Sequence, residues 1–248
     1  MANLVIDIGN TNIKLAVFNF DELSWVQSYK VVDEQVLNDI LTGYKPDRAI
    51  ISSVKKQYTE TWEPYLSKHI PLVKFNADMA KLIKNHYRTP KTLGLDRLAA
   101  VAGAQALYPG KSSMVIDAGT CITYDWVDTD GSYFGGSISP GLQMRYKALS
   151  HYTGALPLLN ADEHFTAHAG DDTQTAIHSG VQNGIRFEVE GFIAAYFKAQ
   201  KPMNILLTGG DSIFFDTLLK NSIFAPHIKI EPYLVLSGLN AVIQQPND

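Results

Sequence analysis

Two carboxylates share one local context, Asp7 in VIDIGNTNIK (Val5–Lys14) and Asp117 in VIDAGTCITY (Val115–Tyr124). With one residue of the first copy skipped, Asp7 lies over Asp117, Gly9 over Gly119, Thr11 over Thr120 and Ile13 over Ile122. A tight turn of this composition exposes successive backbone N–H groups and a hydroxyl, and its glycine lets a ligand approach the backbone closely. That chemistry suits a phosphate. A carboxylate beside a phosphate repels it unless a divalent cation lies between them, so Asp7 and Asp117 read as Mg²⁺ partners, directly or through water. Taken singly, each turn is better read as a hairpin that uses Asp and Gly for its geometry. The duplication favours a clamp that grips a polyphosphate from both sides. Neither loop matches G-x-x-x-x-G-K-[ST] or G-x-G-x-x-G.

Such loops need a core to position them. With 46% hydrophobic and 19% charged residues in 248, the chain reads as a soluble protein with a well-developed core, and the twice-repeated order of three strands and helix–strand alternation makes it α/β. Its length accommodates two domains of ~100–150 residues, which the repeat divides at 1–112 and 113–248. Its 21 basic and 25 acidic residues give a net charge of −4, and no long Lys/Arg cluster is present. No nucleic-acid partner is expected on that balance. The single cysteine, Cys121, excludes an intramolecular disulfide and suits a reducing compartment. The opening MANLVIDIG has no basic n-region, and no apolar run reaches the ~18–20 residues of a membrane helix. A cytoplasmic protein without a membrane partner is expected.

Hydrophobic patterning predicts an antiparallel meander of Asn3–Ile8, Ile13–Phe18 and Leu23–Lys30. Asp33 is the predicted cap of a helix Glu34–Leu41 that Gly43 stops. A strand Arg48–Ser52, a helix Gln57–Lys68, a strand Pro71–Phe75 and a helix Gly94–Leu107 follow. Ala99, Ala100, Ala102 and Gly103 fit this last helix for close packing. The order then repeats, with strands Ser113–Ala118, Cys121–Val127 and Tyr133–Ser139, a turn at Asp130-Gly131 and a helical stretch after Pro140-Gly141. A long helix Asp172–Lys198, weakened at Gly180, Gly184 and Gly191, precedes a buried strand Asn204–Leu207 and a closing helix Leu234–Ile243.

The paired loops resemble those of the actin, sugar kinase and Hsp70 ATPase superfamily, in which duplicated ribonuclease-H-like domains close over a nucleotide cleft. DIGNTNIK (Asp7–Lys14), GLDR (Gly94–Arg97), DAGTCITYD (Asp117–Asp125), GGSISPG (Gly135–Gly141), TGALP (Thr153–Pro157), GDDTQTAIHSG (Gly170–Gly180) and TGGD (Thr208–Asp211) resemble the motifs of type III pantothenate kinases, in order along nearly the whole chain. The resemblance implies ATP-dependent phosphorylation of pantothenate, the first step of coenzyme A biosynthesis. Cys121 departs from an expected alanine, and GDDT from a commoner Gly-x-Asn-Thr.

The resemblance also distributes roles. Asp96 is the implied catalytic carboxylate, and Arg97 the partner for an anionic group of substrate or transition state. Asp7, Gly9, Asn10, Thr11 and Lys14 in the first loop, and Gly119 and Thr120 in the second, would meet the ATP phosphates. Gly209 and Gly210 would let adenine approach the backbone. Pantothenate is assigned to Tyr87, Gly94, Leu95, Asp96, Arg97, Thr153 and Gly154, and Thr173 to the neighbouring subunit's site in a homodimer. Asp125 takes the place of a monovalent-cation ligand, for K⁺ or NH4⁺; by residue type it is equally a solvated strand aspartate. Read without the resemblance, Asp96 is a helix N-terminal carboxylate and Arg97 a surface ion-pair residue. His164 and His168 lack a third ligand of metal-site spacing. The competing readings are another phosphotransferase or phosphatase of the superfamily, and an accessory factor that retained the fold. The presence of Asp7, Asp96, Arg97, Asp117 and Asp125 favours an active kinase.

Overall fold

The computed structural model describes residues 1–53, 61–199 and 203–245. They group into two compact units. The first is drawn from Met1–Gly110, Val127–Phe134 and the chain from Tyr233 onward, the second from Lys111–Trp126 and Gly135–Pro232. The helix at the C-terminal end of the chain therefore belongs with the first unit.

In the first unit, β1 (Ala2–Ile8), β2 (Ile13–Asn19) and β3 (Glu22–Tyr29) form the antiparallel meander. The helix α1 (Glu34–Tyr44) starts where predicted, with the Asp33 carboxylate accepting from the Val36 N–H. It does not stop at Gly43. The helix runs through that glycine and ends on Lys45, which adopts a left-handed φ of 48°. β4 (Arg48–Ser53) pairs parallel with β1, and α2 (Glu63–His69) and β5 (Leu72–Lys74) follow. The predicted start of the second helix at Gln57 lies outside the described residues. β6 (Lys84–Asn85) and α3 (Leu95–Leu107) complete this stretch.

The second unit opens with β7 (Ser113–Ala118), β8 (Cys121–Val127) and β9 (Ser132–Pro140), followed by α4 (Leu142–Tyr152). The predicted long helix is divided into α5 (Thr173–His178), a π-turn at Ser179–Asn183 and α6 (Gly184–Ala199). The widened turn has polar side chains with outside partners. Gln182 bonds both the N–H and the carbonyl of Asp162 at 2.9 Å, and Asn183 donates to the Ala167 carbonyl at 2.9 Å. β10 (Asn204–Thr208), α7 (Ser212–Leu219) and β11 (Ile228–Ile230) finish the unit, and α8 (Leu234–Gln244) returns to the first.

The duplication is visible in the strand order. The first sheet runs β3-β2-β1-β4-β5, and the second places β9-β8-β7-β10-β11 in the same sequence. In both, the central strand pairs parallel with the next strand to follow it after the meander. Central strands are buried on both faces, as a parallel core requires. Leu4, Ile6 and Ile8 join Leu15, Leu37 and Ile51 in one cluster. The alternate residue Asn3 instead bonds Asn240 of α8 at 2.8 Å. The small residues of α3 accept α8 at backbone range, since a Cβ on Gly238 would lie 1.8 Å from the Ala99 carbonyl oxygen.

Candidate functional site

In the first unit, β1 delivers Asp7 to the strand end, and the turn closes through the Gly9 N–H to the Asn12 carbonyl at 3.0 Å. Asn10 and Thr11 are exposed at its tip. Lys14 lies directly opposite Asp7 across the β1–β2 ladder, and Ser52 lies opposite it on β4. Residues paired this way share a face of the sheet. Asp7 and Lys14 are thus side by side.

The GLDR segment forms the N-terminus of α3, with Gly94 as N-cap. The Asp96 carboxylate folds back and accepts the Arg97 N–H at 2.9 Å. A Cβ on Gly94 would stand 2.4 Å from Asp96 Oδ1, so the glycine makes room for that carboxylate. Leu95 is half-buried beside it. Arg97 is only 6% exposed, unlike the surface ion-pair residue of the alternative expectation. Its guanidinium lies 5.8 Å from the centroid of the Tyr87 ring, within cation–π range. Tyr87 in turn stacks on Tyr133, with centroids 6.5 Å apart and planes at 13°. Tyr87, a short way upstream of the GLDR motif in the chain, is thereby joined to it.

In the second unit, β7 carries Asp117 one residue before its end, and the turn closes through the Gly119 N–H to the Cys121 carbonyl at 3.0 Å, leaving Thr120 exposed. TGGD lies against this strand end. Thr208 is opposite Asp117 in register, and the Asp211 N–H donates to the Ala118 carbonyl at 2.9 Å. Gly209 has φ +90°, and a Cβ there would meet Ala118 O at 2.3 Å and Asp117 Oδ1 at 2.4 Å. The paired glycines are therefore required by the protein itself at Gly209, whereas Gly210 has open space around it. Asp211 occupies the N-cap position of α7 without a capping side-chain bond, and burial pushes its carboxyl above the ordinary value.

Asp125, on β8, is 1% exposed, which removes the solvated-aspartate alternative. Its neighbours Tyr124 and Trp126 join the apolar cluster of the second unit. Thr153 follows α4 and donates to the Leu149 carbonyl at 2.6 Å, with Gly154 exposed after it. Thr173 is exposed at the first turn of α5. The reciprocal capping there is made by Asp172 and Thr175, and Gly170 packs against that turn, where a Cβ would lie 2.0 Å from the Ala176 nitrogen.

Sequence reasoning passed over a polar cluster behind the second loop. Glu188 on α6 accepts from Tyr124 Oη at 2.8 Å and from Ser139 Oγ at 2.5 Å, and pairs with Arg145 Nη2 at 2.6 Å. Burial pushes the Glu188 carboxyl up, but bonds from Ser139, Arg145 and Tyr124 outweigh it and hold the group below its ordinary value. Burial and the Glu188 bond push the Tyr124 hydroxyl far up, so it stays a donor. A signal was present in the sequence: Glu188 interrupts the apolar face Val181, Ile185, Val189 and Ile193.

Each turn carries one carboxylate, the donor type that Mg²⁺ takes once or twice alongside substrate phosphates and waters. Among the described residues, no group of three or more His, Cys, Asp or Glu side chains could hold a metal by itself.

Comparison with known proteins agrees with this geometry. A family model described as type III pantothenate kinase matches residues 3–195. The type III pantothenate kinase of Bacteroides fragilis is 43% identical over 248 residues, covering 99% of this chain and 98% of its own. That of Cytophaga hutchinsonii is 41% identical over 250 residues, covering 97% and 98%. Among solved structures, a Campylobacter jejuni protein assigned to the Baf family of transcriptional activators superposes with TM-score 0.62 at 20% identity, covering 97% of both chains. The activator of 2-hydroxyisocaproyl-CoA dehydratase from Clostridium difficile, with bound ADPNP, superposes with TM-score 0.53 at 13% identity, covering 98% of this chain and 95% of its own. At those identities the two structures speak to the fold alone, the duplicated α/β architecture of actin-like ATPases and sugar kinases. Carried by the match over most of its length and by relatives of the same full extent, the chain belongs to the type III pantothenate kinase family.

Proposed function

We propose that this protein transfers the γ-phosphoryl group of ATP to the primary hydroxyl of pantothenate, giving 4'-phosphopantothenate. The observation that carries the reading is the pair of equivalent Asp-x-Gly turns on equivalent strands, accompanied by a GLDR helix start. Phosphoryl transfer depends on positioning and charge neutralisation rather than covalent chemistry by the protein. Asp96, held by a backbone N–H, would orient the attacking hydroxyl and receive its proton. Arg97, braced on Tyr87, would hold an anionic group, and Gly94, Leu95, Thr153 and Gly154 would be further contacts for pantothenate. Gly9, Asn10, Thr11, Lys14, Gly119 and Thr120 would contact the phosphates, with adenine against Gly209 and Gly210. Mg²⁺ held by Asp7 and Asp117 with the phosphates would neutralise their charge.

Three finer assignments belong to the same reading. Asp125, buried and acidic, would ligate K⁺ or NH4⁺. The protein would work as a homodimer in the cytoplasm, with Thr173 reaching the neighbouring subunit's site. Support for the dimer comes from Gly180, Gly184 and Gly191, at each of which a Cβ would have no described atom within 4 Å. Packing within the chain does not require these glycines, and Phe187 on the same helical face is 59% exposed.

The test is ADP formation with ATP, Mg²⁺ and pantothenate, in potassium and in sodium buffer, for the wild type and Asp96→Asn. Pantothenate-dependent, potassium-stimulated turnover that collapses in the variant supports the kinase, the cation site and the role of Asp96. A folded dimer that forms no ADP on addition of pantothenate rejects it.

A further inference from the structure

The second phosphate loop does not stand on its own closing bond alone. Its Thr120 carbonyl accepts the N–H of Gly141 at 3.1 Å. A Cβ on Gly141 would lie 2.2 Å from Gly119 O and 2.5 Å from Thr120 O, so both loop carbonyls rest directly on that residue. A trans peptide directs its C=O and N–H to opposite sides. Seating the carbonyls of Gly119 and Thr120 on Gly141 therefore turns the N–H groups of Thr120 and Cys121 the other way.

What fixes Gly141 is the Arg145 fork. Arg145 Nε donates to the carbonyl of Pro140, the residue before Gly141, at 2.9 Å, while its Nη2 bonds Glu188 at 2.6 Å and Ser139 Oγ at 3.4 Å. Glu188 is itself fastened by Tyr124 and Ser139. The arginine and glutamate side chains are 20% and 24% exposed, so the pair is mostly shielded from screening water.

We propose that Arg145, aimed by Glu188, is a positioning residue that sets the direction of the N–H groups in the second phosphate loop through Pro140 and Gly141. The proposal rests on the reading of that loop as a phosphate site. It takes its specificity from the planar fork, which spans a carbonyl and a carboxylate at once. A lysine ammonium offers a single point of charge and cannot reproduce that span.

The experiment compares wild type, Arg145→Lys and Glu188→Gln by steady-state kinetics, by calorimetric binding of MgATP without pantothenate, and by thermal melting. We expect Arg145→Lys to melt close to wild type, with KM and Kd for MgATP raised roughly tenfold, as small misplacements of a binding group do. The KM for pantothenate should stay within about twofold, since the phosphate loop alone is displaced. Glu188→Gln, which keeps the shape and removes the charge, should give the same pattern with a smaller rise. Unchanged MgATP binding in both variants overturns the proposal. So does a parallel rise in both KM values with a lowered melting temperature, which would mark the pair as general scaffold. If the wild type binds MgATP without phosphorylating pantothenate, the kinase reading fails while the binding comparison still decides this one. A wild type that binds no nucleotide defeats both.

Discussion

The turn at Gly9–Asn12 and the turn at Gly119–Thr120 follow equivalent strands in equally ordered sheets, yet they are held differently. The first closes on itself through Gly9 and Asn12, with an added long contact from Lys30 Nζ to the Thr11 carbonyl at 3.5 Å. The second, one residue shorter, is gripped by two distant segments, Gly141 beneath its carbonyls and Gly209 against Asp117. Duplication preserved the topology and the carboxylate. The means of support diverged, from a wider self-contained loop to a tight one that depends on residues far away in the chain.

That contrast can be broken from the catalytic side first. Asp96→Asn, which leaves both turns intact, should lower kcat by about 10²–10⁴-fold, the usual worth of a positioned proton acceptor. A smaller loss in single-turnover measurements would move the burden of catalysis to the loops themselves. Next in size, Gly141→Ala drives a methyl group into two carbonyls and should cost about 1–3 kcal/mol of stability, as overpacking does. Gly9→Ala meets only the Asn12 carbonyl at 3.2 Å and has no positive φ to lose, so denaturant titration should find it clearly the milder of the two. Equal costs would end the claim that the loops differ in support.

The acid limb of stability gives a finer test. Glu188 has its carboxyl held below the ordinary value of 4.5 by hydrogen bonds that overcome its burial. Its contribution is therefore present above that value and lost as pH falls through the depressed one. Melting temperatures across that acid range should fall less steeply for Glu188→Gln than for wild type. The smallest effect belongs to Lys30→Ala, whose contact is long and exposed, and whose change in unfolding free energy should stay within about 0.5 kcal/mol.

Much of this was legible beforehand because it is local. The meander, the Asp33 cap and the helix after Gly94 follow from alternation, capping chemistry and composition. Local signals misled at two helices. Gly43 reads as a helix stop, but the helix continues through it to Lys45, and the long helix expected over Asp172–Lys198 yields a π-turn whose Gln182 and Asn183 bind a separate loop. Within the site, the strand ends carrying Asp7 and Asp117 could be read from the repeat. The apposition of Tyr87 with Arg97 could not, because it depends on β6 pairing with the start of β9, with Asn85 opposite Tyr133.

By itself the sequence determined the duplicated α/β pattern, the two carboxylates at matched strand ends and the family, since apolar periodicity and ordered motifs are properties of the linear chain. Only the tertiary structure decided that α8 packs backbone to backbone on α3, that the Arg97 guanidinium stands over the Tyr87 ring, and that Arg145 and Glu188 bond each other beside the second loop. The first and last of these turn on how close two remote segments come. At the α8–α3 crossing the room for one methyl group decides the contact, since a Cβ on Gly238 would stand 1.8 Å from the Ala99 carbonyl oxygen.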